Sequence, residues 1–123
     1  MARLPAAQEN TGIAALFVPS TTYYLALFIT DPGTTGASGE VTGGSYARQA
    51  IVFGAASGGS EASTDAQNFT GMPAEAGGIP YLAIFTLASG GTYLGGGTVS
   101  GVSSVTSGAT VTFAIGAVTV ALS

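Results

Sequence analysis

The sequence predicts an all-β fold: a single-domain β-sandwich or jelly-roll-like body of about seven to eight strands, with an N-terminal arm. Two observations lead there. From Thr21 onward, Thr, Val, Ile, Tyr and Phe gather in short runs, broken at intervals of about eight to twelve residues by Gly, Ser, Asp or Pro clusters. That texture is the punctuation of antiparallel strands and not of a βαβ alternation. The length, 123 residues, is that of one domain, enough to bury about two thirds of the unfolded surface around one core.

Residues 1–20 differ from the rest and are read as the arm, leaving 21–123 for the β domain. The arm holds Pro5, the polar stretch Gln8–Thr11 and then the apolar run Ile13–Val18, closed by Pro19. A run that short has no diagnostic period, and Pro19 disfavours a helical Val18, so the segment is a short helix or a short strand. The strand candidates that follow are Thr22–Thr30, Tyr46–Phe53, Ala66–Thr70, Tyr81–Leu87, Tyr93–Val99, Val102–Val105, Thr110–Ile115 and Ala117–Leu122. Asp31-Pro32-Gly33 carries the chemistry of a tight turn, and Ala88–Thr92 that of a hairpin loop. Gly116 resets the apolar alternation and marks a bulge or turn.

One internal echo stands out: Tyr24-Leu25-Ala26-Leu27-Phe28 returns as Tyr81-Leu82-Ala83-Ile84-Phe85. In both copies the alternate residues on either face are apolar or small, as in a strand covered twice, and the second cover is expected from the same sandwich or from another subunit. Two central strands converging on similar residues explain the echo more simply than duplication.

Charge is scarce. Six carboxylates face two arginines, and charged residues make up 7% of the chain, against about 25% in an average soluble domain. There is no basic patch for phosphates, so nucleic acid is not an expected partner. No apolar run approaches the ~18 residues of a membrane-spanning helix, and no secretory signal is read at the N-terminus. A neutral, lysine-free surface suits a permanent assembly better than a free monomer.

With no His, Cys or Lys, the chain cannot build a Ser-His-Asp triad, a thiolate nucleophile, a Schiff base, a P-loop or a cysteine–histidine zinc site. Carboxylate pairs remain, Asp31 with Glu40 and Glu61 with Asp65, and both lie in Gly- and Ser-rich stretches that read as solvated loops. No catalytic, cofactor or metal-binding residue is therefore assigned. Gly95-Gly96-Gly97 lacks the Lys-Ser/Thr of a phosphate loop and is read as a weak strand, an interface segment or a loop.

Arg48 is the one cation after Arg3. It is read on a strand with Tyr46 and Ala50 on its face, and a guanidinium there needs acceptors. These are turn carbonyls or a carboxylate such as Asp31 or Glu40 in the same domain, or else a carboxylate across a subunit contact. Arg48, Tyr46, Asp31, Tyr93, Leu16 and Phe17 are the candidates for an interface or a structural clamp.

The order Tyr24–Phe28, Asp31-Pro32-Gly33, Gly43-Gly44-Ser45-Tyr46-Ala47-Arg48-Gln49-Ala50 and Phe53-Gly54 resembles small virion structural proteins of tailed bacteriophages. The later Phe69–Ala74 and Tyr81–Phe85 segments are similar to the same pattern. Phe28-Ile29 after the LAL strand, and the lack of Trp in the second central strand, depart from it. The resemblance implies a non-enzymatic virion component without cofactors, assembled in the host cytoplasm. Its first functional expectation is a capsid decoration (cement) protein, a homo-oligomer such as a trimer. It would bind the major capsid protein and clamp the shell, with arm residues Ala2–Leu16 ordering on it. The alternative is a minor tail or tail-fibre module that binds a host receptor or glycan, with Tyr23, Tyr46 or Tyr93 as stacking platforms.

Overall fold

A computed structural model describes residues 6–33, 35–36, 39–99 and 102–121. Among them are one helix, α1 (Ala6–Leu16), and eight strands. These are β1 (Thr22–Phe28), β2 (Gln49–Val52), β3 (Ser60–Ala62), β4 (Gln67–Phe69), β5 (Tyr81–Phe85), β6 (Tyr93–Thr98), β7 (Val111–Phe113) and β8 (Thr119–Ala121). The fold is all-β apart from α1. Its sheets are open: a four-stranded one in the order β2-β1-β5-β6, and two-stranded ones formed by β3-β8 and β4-β7.

The chain divides into two compact units, three of whose boundaries fall inside β1, β2 and β7 and the fourth at the start of β4. The first contains residues 1–22, 51–66 and 113–123. Its helix uses good formers, Ala, Gln, Glu and Leu, and stops ahead of Pro19 as the residue before a proline leaves the α region. The apolar run Ile13–Leu16 thus resolves as helix. Ile13 and Phe17 are buried, and Phe17 meets Phe53 edge-on with ring centroids 5.6 Å apart. With Ile51 and Val118 they form the apolar core of this unit. This half of the expected arm is therefore packed within its own chain, whereas Ala2–Pro5 lie outside the described residues.

After α1 the chain reverses through Val18-Pro19-Ser20-Thr21, closed by Thr21 N–H to Val18 C=O at 3.2 Å. Ser20 sits at φ 65°, the position that a type II turn reserves for Gly. Left-handed backbone costs a residue with a Cβ about 1–2 kcal/mol, partly offset by the larger unfolded entropy of Gly. Ser20→Gly should therefore stabilise the chain by about 0.5 kcal/mol, read as a higher urea midpoint at unchanged slope.

β3 has no counterpart among the sequence-predicted strands. It follows the turn Ser57-Gly58-Gly59-Ser60, in which both glycines have positive φ and Ser57 and Ser60 exchange backbone hydrogen bonds of 2.8 and 3.2 Å. Two consecutive left-handed residues make a hairpin turn whose twist matches its arms. β3 is thus flanked by Phe53–Ser57 on one edge and by β8 on the other, with Glu61 opposite Val120. Gly116, at φ 79°, does form the turn expected there, between β7 and β8.

The second unit contains residues 23–50 and 67–112. At its centre the two echo sequences are each other's neighbours. β1 and β5 pair antiparallel with Tyr24 opposite Phe85, Ala26 opposite Ala83 and Phe28 opposite Tyr81. One face carries the facing pair Ala26 and Ala83, small enough for Phe28 and Phe85 to stack across them, centroids 6.2 Å apart and planes within 7°. Leu25, Ala26, Leu27 and Phe28 are wholly buried within the single chain. No second subunit is needed to cover β1.

Two further expectations are corrected. Val102–Val105 is not a strand: Val105 bridges Glu75 while Val102 C=O accepts from Ile79 N–H, spacings that differ by one residue and cannot continue a ladder. The strand expected from Tyr46 begins only at Gln49, because Tyr46 N–H turns back to Gly43 C=O and the side chains of Tyr46 and Arg48 bond elsewhere. Arg48 is therefore not a strand residue. Gly95–Gly97, by contrast, does lie in a strand, β6.

Candidate functional site

The described residues between Asp31 and Arg48 lie over the β1–β5–β6 face and are held there by side chains more than by a ladder. Its first anchor is the Asp31-Pro32-Gly33 turn, in which the Asp31 carboxylate accepts Gly33 N–H at 2.8 Å and Gly33 takes φ 64°. The Tyr93 hydroxyl, from β6, donates to Gly33 C=O at 2.9 Å. Burial pushes the Tyr93 phenol upward, with the nearby Asp31 charge adding to it. The turn approaches the sheet closely: a methyl group on Gly96 would stand 2.7 Å from Pro32 Cγ and 2.7 Å from the Tyr93 hydroxyl. On Gly36, at φ 61°, it would stand 2.7 Å from Tyr93 Cδ1. Gly36→Ala combines left-handed strain with overpacking and should cost about 2–3 kcal/mol in urea denaturation.

The second anchor is Glu40. Its neighbours pair with the end of β1, Ile29 N–H to Gly39 C=O at 2.8 Å and Val41 N–H to Leu27 C=O at 2.9 Å. Leu27 N–H donates to the Tyr46 hydroxyl at 2.9 Å, which donates in turn to Glu40 Oε2 at 2.8 Å. Tyr46 thus serves the β1 backbone with its phenol, while its ring stacks on Phe69 at 5.9 Å. Burial, and the acceptance from Leu27 working against it, leave the Tyr46 phenol raised well above its usual range.

Arg48 completes the arrangement. Nε donates to Glu40 Oε2 and Nη2 to Glu40 Oε1, both at 2.9 Å, a bidentate fork. Nη1 donates to Leu87 C=O at 3.0 Å and to Gly90 C=O at 2.8 Å, so the same guanidinium ties down the β5–β6 loop. Its plane lies over Phe85, the central carbon 3.7 Å from the ring centroid. The hydrogen bonds to Glu40 raise the Arg48 pKa further, and its side chain is 10% exposed against 26% for Glu40. All these acceptors lie in the second unit. Of the two carboxylates offered by the sequence, Glu40 is the partner and Asp31 is not.

The other candidates fall apart from this cluster. Leu16 is 52% exposed at the end of α1, and Phe17 is buried against Phe53. None of the tyrosines expected as stacking platforms presents a free ring. Tyr23 is buried, Tyr46 is stacked on Phe69, and Tyr93 packs on Phe85 with centroids 5.5 Å apart. The turn carbonyls expected as acceptors are those of Leu87 and Gly90, in the loop that carries the hairpin signal Ala88–Thr92, whereas nothing in the sequence singles out the Phe85 ring. The other carboxylate pair does not form a site either: Asp65 accepts Val52 N–H at 3.2 Å, while Glu61 is buried.

Chemically the cluster binds, orients and neutralises its own chain. Among the described residues no group of three or more His, Cys, Asp or Glu is placed to hold a metal ion, and no helix is long and apolar enough to cross a membrane. Elsewhere in the second unit a groove of about 300 Å³ is lined by Val102, Ser104, Thr106, Thr110 and Thr112 among others, presenting hydroxyl and methyl groups.

No curated protein matches the chain. A family model described as podophage GP4 fiber I protein gp80 matches residues 9–121, nearly the whole length and all of the clamp. On that match the chain belongs to the podophage GP4 fiber I protein gp80 family and is a bacteriophage virion structural protein.

Proposed function

We propose that the chain is a non-enzymatic module of a podophage tail fibre that acts as a homo-oligomer in contact with the host surface, rather than a cement protein on the capsid shell. The observation that carries this reading is the family match across residues 9–121, whose description names a fibre protein. The geometry is in keeping with it. The Arg48 clamp ties Glu40 to the Leu87 and Gly90 carbonyls, cross-bracing of the kind a mechanically loaded part requires, and the chain's low charge leaves a neutral surface for contacts with copies of itself. A receptor or glycan would be met by the hydroxyl-lined groove, because the Tyr46 and Tyr93 rings are already packed against Phe69 and Phe85. Quantitative mass spectrometry of purified virions, with immunogold labelling, tests the reading. The expected result is a copy number set by the tail attachment sites, with label at the tail. Near-equimolar amounts with the major capsid protein, together with binding to empty capsids, would overturn it in favour of capsid decoration.

A further inference from the structure

The first unit contains a carboxyl group that its fold does not satisfy. Glu61, the middle residue of β3, is 1% exposed, and among the described residues neither carboxylate oxygen has a hydrogen-bond partner. β3 cannot easily turn it outward, because the strand is fixed on both edges. Glu61 is opposite Val120 of β8, and on the other side Gly54 N–H donates to Ala62 C=O at 2.9 Å while Phe53 bridges Ser63. A one-residue slip would exchange the faces of the whole strand. α1 packs against both β3 and β8.

We infer that Glu61 makes the first unit a proton-linked element: it closes around the neutral acid, and ionisation of Glu61 loosens the β3–β8 pair and the helix packed on it. An ionised carboxylate that is buried without donors is far costlier than a neutral one, and burial correspondingly raises the Glu61 pKa above its ordinary 4.5. Few other groups intervene. α1 carries Glu9 as its one ionisable residue, the Phe53–Ser57 arm and the described residues 113–121 carry none, and Asp65 beyond β3 is bonded to Val52 N–H. Arg3, the unit's one cation in sequence, lies outside the described residues.

The sign follows from the raised value. Below pH 4.5 Glu61 is protonated whether the unit is folded or open, and contributes no pH dependence. Between that value and the folded-state value, opening releases a proton, so the opening constant grows by up to about tenfold per pH unit. Above the folded-state value the loss is complete and the dependence levels off.

The test uses the full chain. The Glu61 side-chain carboxyl carbon is titrated by NMR, and amide exchange is followed at residues 60–63 and 118–121 from pH 4.5 to 8 after correction for intrinsic rates, with residues 81–85 as the internal reference. The expected result is a carboxyl titrating well above the ordinary glutamate value and a protection loss in the first unit that tracks it. Glu61→Gln should be better protected at pH 8 and have no such slope, while Glu9→Gln and Asp65→Asn keep it. An ordinary Glu61 titration overturns the inference even if no variant folds, and so does an unchanged slope in Glu61→Gln.

Discussion

Replacing Arg48 with alanine is expected to cost the second unit about 2–4 kcal/mol of stability, a little below what breaking a fully buried ion pair does. An exposed pair would be worth only about 0–1 kcal/mol. Arg48 differs because its side chain is 10% exposed and all its anchors fail together. Glu40 would keep only the Tyr46 hydroxyl, Leu87 and Gly90 would lose their donor, and Phe85 would lose the guanidinium above its ring. Arg48→Lys retains the charge but not the planar fork, and should recover less than half of the loss. A double-mutant cycle with Glu40→Gln should show a coupling of about 1–3 kcal/mol in urea denaturation. Wild-type stability in Arg48→Ala, with a defect only in sedimentation, would instead assign the arginine to a contact between subunits.

That expectation marks how far the sequence could be read. Arg48 drew attention by being nearly the only cation, and elementary hydrogen-bond requirements narrowed its acceptors to carboxylates and turn carbonyls. The choice between Asp31 and Glu40 was not legible, because it depends on the Asp31 carboxylate closing its own turn on Gly33 while Glu40 lies beside β1. The β1 and β5 strands, the Asp31-Pro32-Gly33 turn and the Ala88–Thr92 loop were legible, since their apolar runs and turn residues act locally. β3 was not. It is short, and its buried position is filled by Glu61, which breaks the apolar pattern by which strands are recognised. Its trace lay in Gly58-Gly59, a two-residue hairpin signal hidden in a chain with 20 glycines.

The second large effect falls on the ring beneath the clamp. Phe85→Ala should cost about 3–5 kcal/mol, the range for deleting a buried aromatic side chain whose surroundings cannot collapse onto the gap. Collapse is prevented from three sides. Phe28 stacks on Phe85 over the Ala26–Ala83 pair, Tyr93 is tilted against it with its hydroxyl fixed to Gly33, and the Arg48 guanidinium is held in place by Glu40 and the loop carbonyls. Phe85→Leu retains much of the volume and should cost about half as much. The two core replacements separate packing from the cation–π contact when each is combined with Arg48→Ala. If the guanidinium stabilises the chain partly through the ring, the losses are less than additive by about 0.5–2 kcal/mol in both Phe85 backgrounds, since neither Ala nor Leu offers a π face. Strict additivity would mean that the ring merely fills space under an arginine held by Glu40 and the loop carbonyls. Coupling would mean that the aromatic strand echo and the lone cation are parts of one device, because the stacked pair that the small Ala26 and Ala83 make room for is also the surface on which Arg48 rests.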